Sequence, residues 1–208
     1  MSALKGSLSY VRLFVPEEPP KDFRERYMRA IRHRVIEPLG PEDDALERSG
    51  FCRIGEPFEL SLRHDMVFFE SFINLGVRTD RWVFPGSLVR QRVREAEAAY
   101  LEKKGRQRLS RHERAELKLA VQQKLKHKLT PQVRAVDLSW SLDEKLVRFF
   151  THSAKSIERL LELFEKAFHI KLVVEAPYTL AERSGALSDR ERAWEQLSPL
   201  DLTDERAA

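Results

Sequence analysis

Between Val89 and Arg134 the chain carries 14 Lys or Arg against 5 Asp or Glu. The cations are spaced for a helix surface. Arg111, Arg114, Lys118, Gln122 and Lys126 recur at three or four residues, which aligns them about 5–6 Å apart on one helical stripe. Lys124 and Lys128 flank that stripe, Lys103, Lys104, Arg106 and Arg108 crowd the segment before it, and Arg90 and Arg94 share a face upstream. After Glu116 no acid appears until Asp137, so the i,i+4 counter-charges of an ordinary solvated helix are missing. Such a stripe suits a polyanion, and duplex DNA presents about one phosphate charge per 1.7 Å of axis. The whole chain has 37 basic and 33 acidic side chains, so the remainder is net acidic. The asymmetry concerns partners rather than fold.

Other chemistries find less support in the residues. "RHERAEL" offers His112 and Glu113 but has Glu116 where a zinc helix needs a second histidine. Cys52 is the single cysteine, which excludes an internal disulfide and reads as a small buried hydrophobe. No Gly-rich phosphate loop and no G-x-S-x-G elbow occurs. A metal-dependent nuclease would need converging carboxylates. Asp65, Glu70, Asp80, Asp137 and Asp143 lie near expected strands, but their spacing defines no cluster. The expectation is therefore a protein without enzymatic activity, cofactor or metal. No apolar run reaches the roughly 18–20 residues of a membrane span, and the leucine stripe beside the cations lacks aromatic anchors for a membrane surface. The opening "MSALKGSLSY" has no signal-peptide core, which points to the cytoplasm.

The elements around the basic run define an α+β class. "SLSYVRLFV" alternates as a strand, and Phe23, Tyr27, Ile31 and Val35 make one apolar helix face. "SGFCRI" and "MVFFESFINLGVRTDRWVF" read as strands, the second folded about a turn near Arg78–Asp80. Ser87 is positioned to cap a helix whose seam is Val89, Val93, Ala96 and Tyr100. Gly105 interrupts it. "SRHE" then forms a capping box from Ser110 and Glu113, and Leu117, Val121, Leu125 and Leu129 give a second seam. Past Pro131, "QVRAVDLSWSLDEKLVRFF" reads as two strands about a turn at Leu142–Glu144. An amphipathic helix through "SAKSIERLLELFEKAFH" and a strand in "IKLVVEAP" follow. The expected organisation is an N-terminal α+β half (1–86), a basic helical arm (87–130), a C-terminal α+β half (131–178) and an acidic, partly disordered tail (179–208), with "SDRERAWEQL" as a short helix in it.

The segments "YVRLFV", "SGF", "WVFPGSLVRQRV", the charged helix pair up to "KLTP", "VDLSW" and "THSAKSIERLLELFEKAF" together resemble the bacterial recombination-associated protein RdgC family. The resemblance spans about Lys5 to Tyr178. It implies a homodimer that encloses duplex DNA without sequence preference, associated with the nucleoid, and that restrains the RecA recombinase by occupying its substrate. It also implies subunit contact at the corner formed by Leu129, Pro131 and Val133. Family members have been called putative exonucleases, so a metal-dependent exonuclease stays as one alternative. The other is an adaptor that presents the basic arm to an acidic protein. This chain is shorter than the better-known members, and its helix before "KLTP" is about one turn longer.

Overall fold

The computed structural model of the protein describes residues 9–185. Seven strands form one antiparallel sheet: β1 (Val11–Phe14), β2 (Glu47–Cys52), β3 (Phe68–Phe69), β4 (Phe72–Arg81), β5 (Gln132–Ser141), β6 (Leu146–Phe149) and β7 (Val173–Val174). Their order is β2-β4-β5-β6-β1-β7, with β3 paired to the start of β4. The helices are α1 (Phe23–His33), α2 (His64–Val67), α3 (Gly86–Lys104), α4 (Arg111–Lys126), α5 (Ala154–Phe168) and α6 (Pro177–Arg183). The α+β class is thus as the sequence indicates. The two expected halves, however, share one layer: β4 pairs with β5 across the arm insertion, and β1 pairs with β6, which follows the insertion.

Helices α1 and α5 cover one sheet face because each carries apolar residues at helical spacing. Trp140 of β5 sits at the centre, 1% exposed, with the rings of Tyr27, Phe164 and Phe168 at 5.1, 5.0 and 5.4 Å. Gly50 lets β2 approach the chain after α1, since a Cβ there would lie 2.6 Å from the Ile36 backbone. Cys52 is fully buried beside it, and burial pushes its thiol up to about 12.

The turn expected at Arg78–Asp80 is absent, and β4 runs straight through it. Residues two apart on a strand face the same way, so Arg78 closes onto Asp80 with two hydrogen bonds of 2.7 and 2.6 Å. The pair is buried beneath the loop after β2, whose Pro57 carbonyl accepts from Arg78 and whose Phe58 ring lies 5.0 Å from the guanidinium. The actual reversal is at Glu70–Ser71, with Glu70 at φ 52°. The turn before β6 falls where the sequence places it, at 142–145.

Near the chain's end, α6 continues past the expected start of the tail. Glu175, just before it, pairs with Arg12 and Arg183, both at 2.8 Å. The expected helix in "SDRERAWEQL" lies outside the described residues.

Candidate nucleic-acid interface

The inserted helices α3 and α4 pack as an antiparallel hairpin. Its lower half is held by Val89, Val121 and Leu125, with Phe84, Leu88, Val93, Ala96 and Leu129 packed around them. Helix α3 starts at Gly86 without a side-chain cap, so Ser87 lies inside the first turn rather than at the cap. Its end is closed by Gly105 at φ 62°, a left-handed conformation that suits glycine.

Toward the tip, polar contacts replace apolar ones. Ser110 and Glu113 form the expected capping box: the Ser110 N–H donates to Glu113 at 2.8 Å, and the Glu113 N–H donates to the Ser110 hydroxyl at 3.2 Å. The same carboxylate accepts from Tyr100 Oη and Arg106 Nη1, each at 3.3 Å. The Ser110 backbone N–H, with help from the Ser110 side chain, Tyr100 and Arg106, holds the Glu113 carboxyl below its usual range. Arg114 pairs with Glu97 of α3 at 2.8 Å. The tip is therefore stapled by two polar links between the helices, Tyr100–Glu113 and Arg114–Glu97, and by a third from the joint, Arg106–Glu113.

At the base, α4 docks on the loop before β2. Gln123 donates to the Pro41 carbonyl at 2.8 Å, His127 lies 3.5 Å from Glu42, and Lys126 donates to the Asp43 carbonyl. Lys126 is only 4% exposed. This corrects its expected place among the DNA-contacting cations: the stripe rotates into the protein at its last position. Leu129, expected at a subunit contact, is partly buried against the arm's own apolar cluster. Pro131 is half-buried beside it, and Val133 sits opposite Asp80 in the sheet ladder.

The remaining expected cations all face solvent. Arg90, Arg94, Lys103, Lys104, Arg108, Arg111, Lys118, Lys124 and Lys128 form no ion pair among the described residues. Arg111 and Lys118, seven apart, lie on one flank of the α4 seam and Lys124 on the other. Arg106 and Arg114 stay more than half exposed despite their staples, which use one nitrogen each. Arg90 of α3 and Lys118 of α4 converge on a groove of about 650 Å³ at the arm's base, with Trp82 and Arg81 on its sheet side. Trp82 stacks on Phe84 with centroids 6.3 Å apart, and its buried indole N–H has no partner among the described residues. Arg81 and Trp82 escape a reading based on helix spacing because they lie at the end of a strand and just beyond it.

The carboxylates weighed for metal chemistry are dispersed: Asp80 is bound to Arg78, Asp65 pairs with Arg63, and Asp137 accepts from the Gly55 N–H. Among the described residues, no three of His, Cys, Asp and Glu gather as a metal-holding group. No helix among them is long and apolar enough to cross a membrane. No protein-family model matches the chain, and no curated protein matches it in sequence.

Proposed function

We propose that the protein binds the phosphate backbone of duplex DNA through the α3–α4 arm, without reading sequence. The observation that carries this is the uncompensated row of exposed cations on a hairpin whose own seam and staples are already satisfied. Among the described residues no α-helix combines the cations with a base-reading pattern, which favours contact with phosphates over contact with base edges. The motif order shared with the RdgC family supports a wider reading: a homodimer that occupies DNA otherwise available to a RecA-type recombinase.

Fluorescence anisotropy with a duplex of arbitrary sequence, over a salt series, tests the proposal. Each neutralised phosphate contributes about 0.9 to the slope of log affinity against log salt. Arg111→Glu combined with Lys118→Glu should weaken binding more than tenfold and lower that slope by about 2. Both side chains are exposed, so the circular dichroism spectrum should not change. Unaltered affinity in this double variant would reduce the row to a solvated surface. Binding to an acidic protein instead of DNA would favour the adaptor.

A further inference from the structure

A second cluster of cations lies at the foot of the arm, where the outer end of the sheet meets the start of α5. Strand alternation sends Thr79 and Arg81 of β4, and Gln132 and Arg134 of β5, to the face that α5 covers. The ladder sets Thr79 opposite Arg134 and Arg81 opposite Gln132. The first turns of α5 reach this end, where Lys155 and Arg159 pair with Glu47 opposite Arg81. What remains between helix and sheet is a cavity of about 410 Å³, lined by Arg81, Arg134, Lys155 and Arg159 together with the hydroxyls of Ser153 and Ser156.

The charge in this cavity is unbalanced. Glu47 of β2 pairs with Arg159, with Lys155 at 3.6 Å and with Arg81 at 3.7 Å. One carboxylate thus serves three cations, and Arg134 forms no ion pair among the described residues. The first turn of α5 has no acidic residue, and Ser153 at its N-cap makes no side-chain capping bond. The positive end of the helix dipole and a free hydroxyl add to the same deficit of negative charge. Several cations beside hydroxyl-bearing side chains match a tetrahedral oxyanion. Arg81 and Gln132 also line the groove at the base of the arm, so the two basic surfaces share residues.

We infer that the cavity between the end of the sheet and the start of α5 is a phosphate-group site. The phosphate comes either from the DNA backbone that crosses the arm or from a free phosphate-bearing molecule. Only the first source rests on the proposed function; the site itself does not.

The test is isothermal titration of the full chain with inorganic phosphate and with pyrophosphate, beside the duplex salt series. The variants are Arg134→Gln with Lys155→Gln, and Arg134→Gln alone, which disturbs no ion pair; thermal unfolding checks their fold. Saturable phosphate binding by the unaltered protein, at least tenfold weaker in the double variant, is the expected result. If the duplex salt slope also falls by about 2, the occupant is a backbone phosphate. An unchanged slope with lost phosphate binding assigns the site to a free phosphate compound. A lowered slope without measurable binding of either free anion again assigns it to the backbone. The Arg111→Glu, Lys118→Glu arm variant should lose duplex and keep phosphate, which separates failure of the arm from failure of the cavity. The site is overturned if the slope is unchanged and phosphate binding is either absent or insensitive to both cavity variants.

Discussion

Arg78 and Lys126 show how a cation's position in a sequence pattern differs from its role. Both occur in stretches rich in polar side chains, and both are buried. Arg78 is neutralised by Asp80 two residues on, in a bidentate pair covered by the Pro57–Phe58 loop. Removing one partner of such a pair leaves an uncompensated buried charge, at a cost of about 3–5 kcal/mol. Asp80→Asn is therefore expected to lower stability by that amount in urea unfolding. Lys126→Met should cost about 1–3 kcal/mol through its lost charged hydrogen bond to the Asp43 carbonyl. It should leave the salt slope of duplex binding unchanged, whereas Lys118→Met should lower the slope by about 1. Spacing alone puts Lys118 and Lys126 on one stripe. The loop that distinguishes them is some 80 residues away in sequence, so no local pattern contains that information.

The arm, as an element, was largely legible. Its seams, the interruption at Gly105 and the Ser110–Glu113 box all follow from short-range rules of spacing and capping. The start of α3 was not, because Pro85 and Gly86 take the positions that Ser87 was expected to define. Ser110→Ala should destabilise the arm by about 1 kcal/mol through loss of the cap. Hydrogen exchange is expected to show this as faster opening of 106–114, with the sheet unaffected. Acid should act on the same segment. The Glu113 carboxyl is depressed below its ordinary 4.5, so its contribution is complete above that value and is lost as pH falls through the lowered one. Protection factors at the tip, taken against the intrinsic exchange rate at each pH, should therefore fall on acidification in the parent protein. In Glu113→Gln, which keeps an acceptor but does not titrate, that fall should be absent.

For the molecule as a whole, strand identities were readable from alternation and aromatic content, but partnership was not. β1 and β6 are separated by some 130 residues, yet they pair over four positions. Period-2 patterns say which face of a strand is apolar and nothing about which strand lies beside it. Hence two halves were expected where one sheet exists. Because both sequence regions share the core around Trp140, denaturant unfolding followed by tryptophan fluorescence and by far-UV circular dichroism should coincide in one transition. Two separated transitions would mean that the segments flanking the arm behave as independent units.

The junction between arm and sheet has a mechanical consequence. The arm leaves at Arg81 and returns at Gln132, which face each other in the ladder. A pull on its tip therefore reaches two adjacent central strands together and tends to drag β4 and β5 as one body. Relative sliding then falls on the flanking seams, six residue pairs between β2 and β4 and four between β5 and β6. The Gln123 and Lys126 contacts act as a side stay to the 41–43 loop, so a sideways load is shared before it reaches those seams. A protein built this way would resist tension as a clamp does, with its lever fixed to the ends of two interior strands rather than to an edge strand.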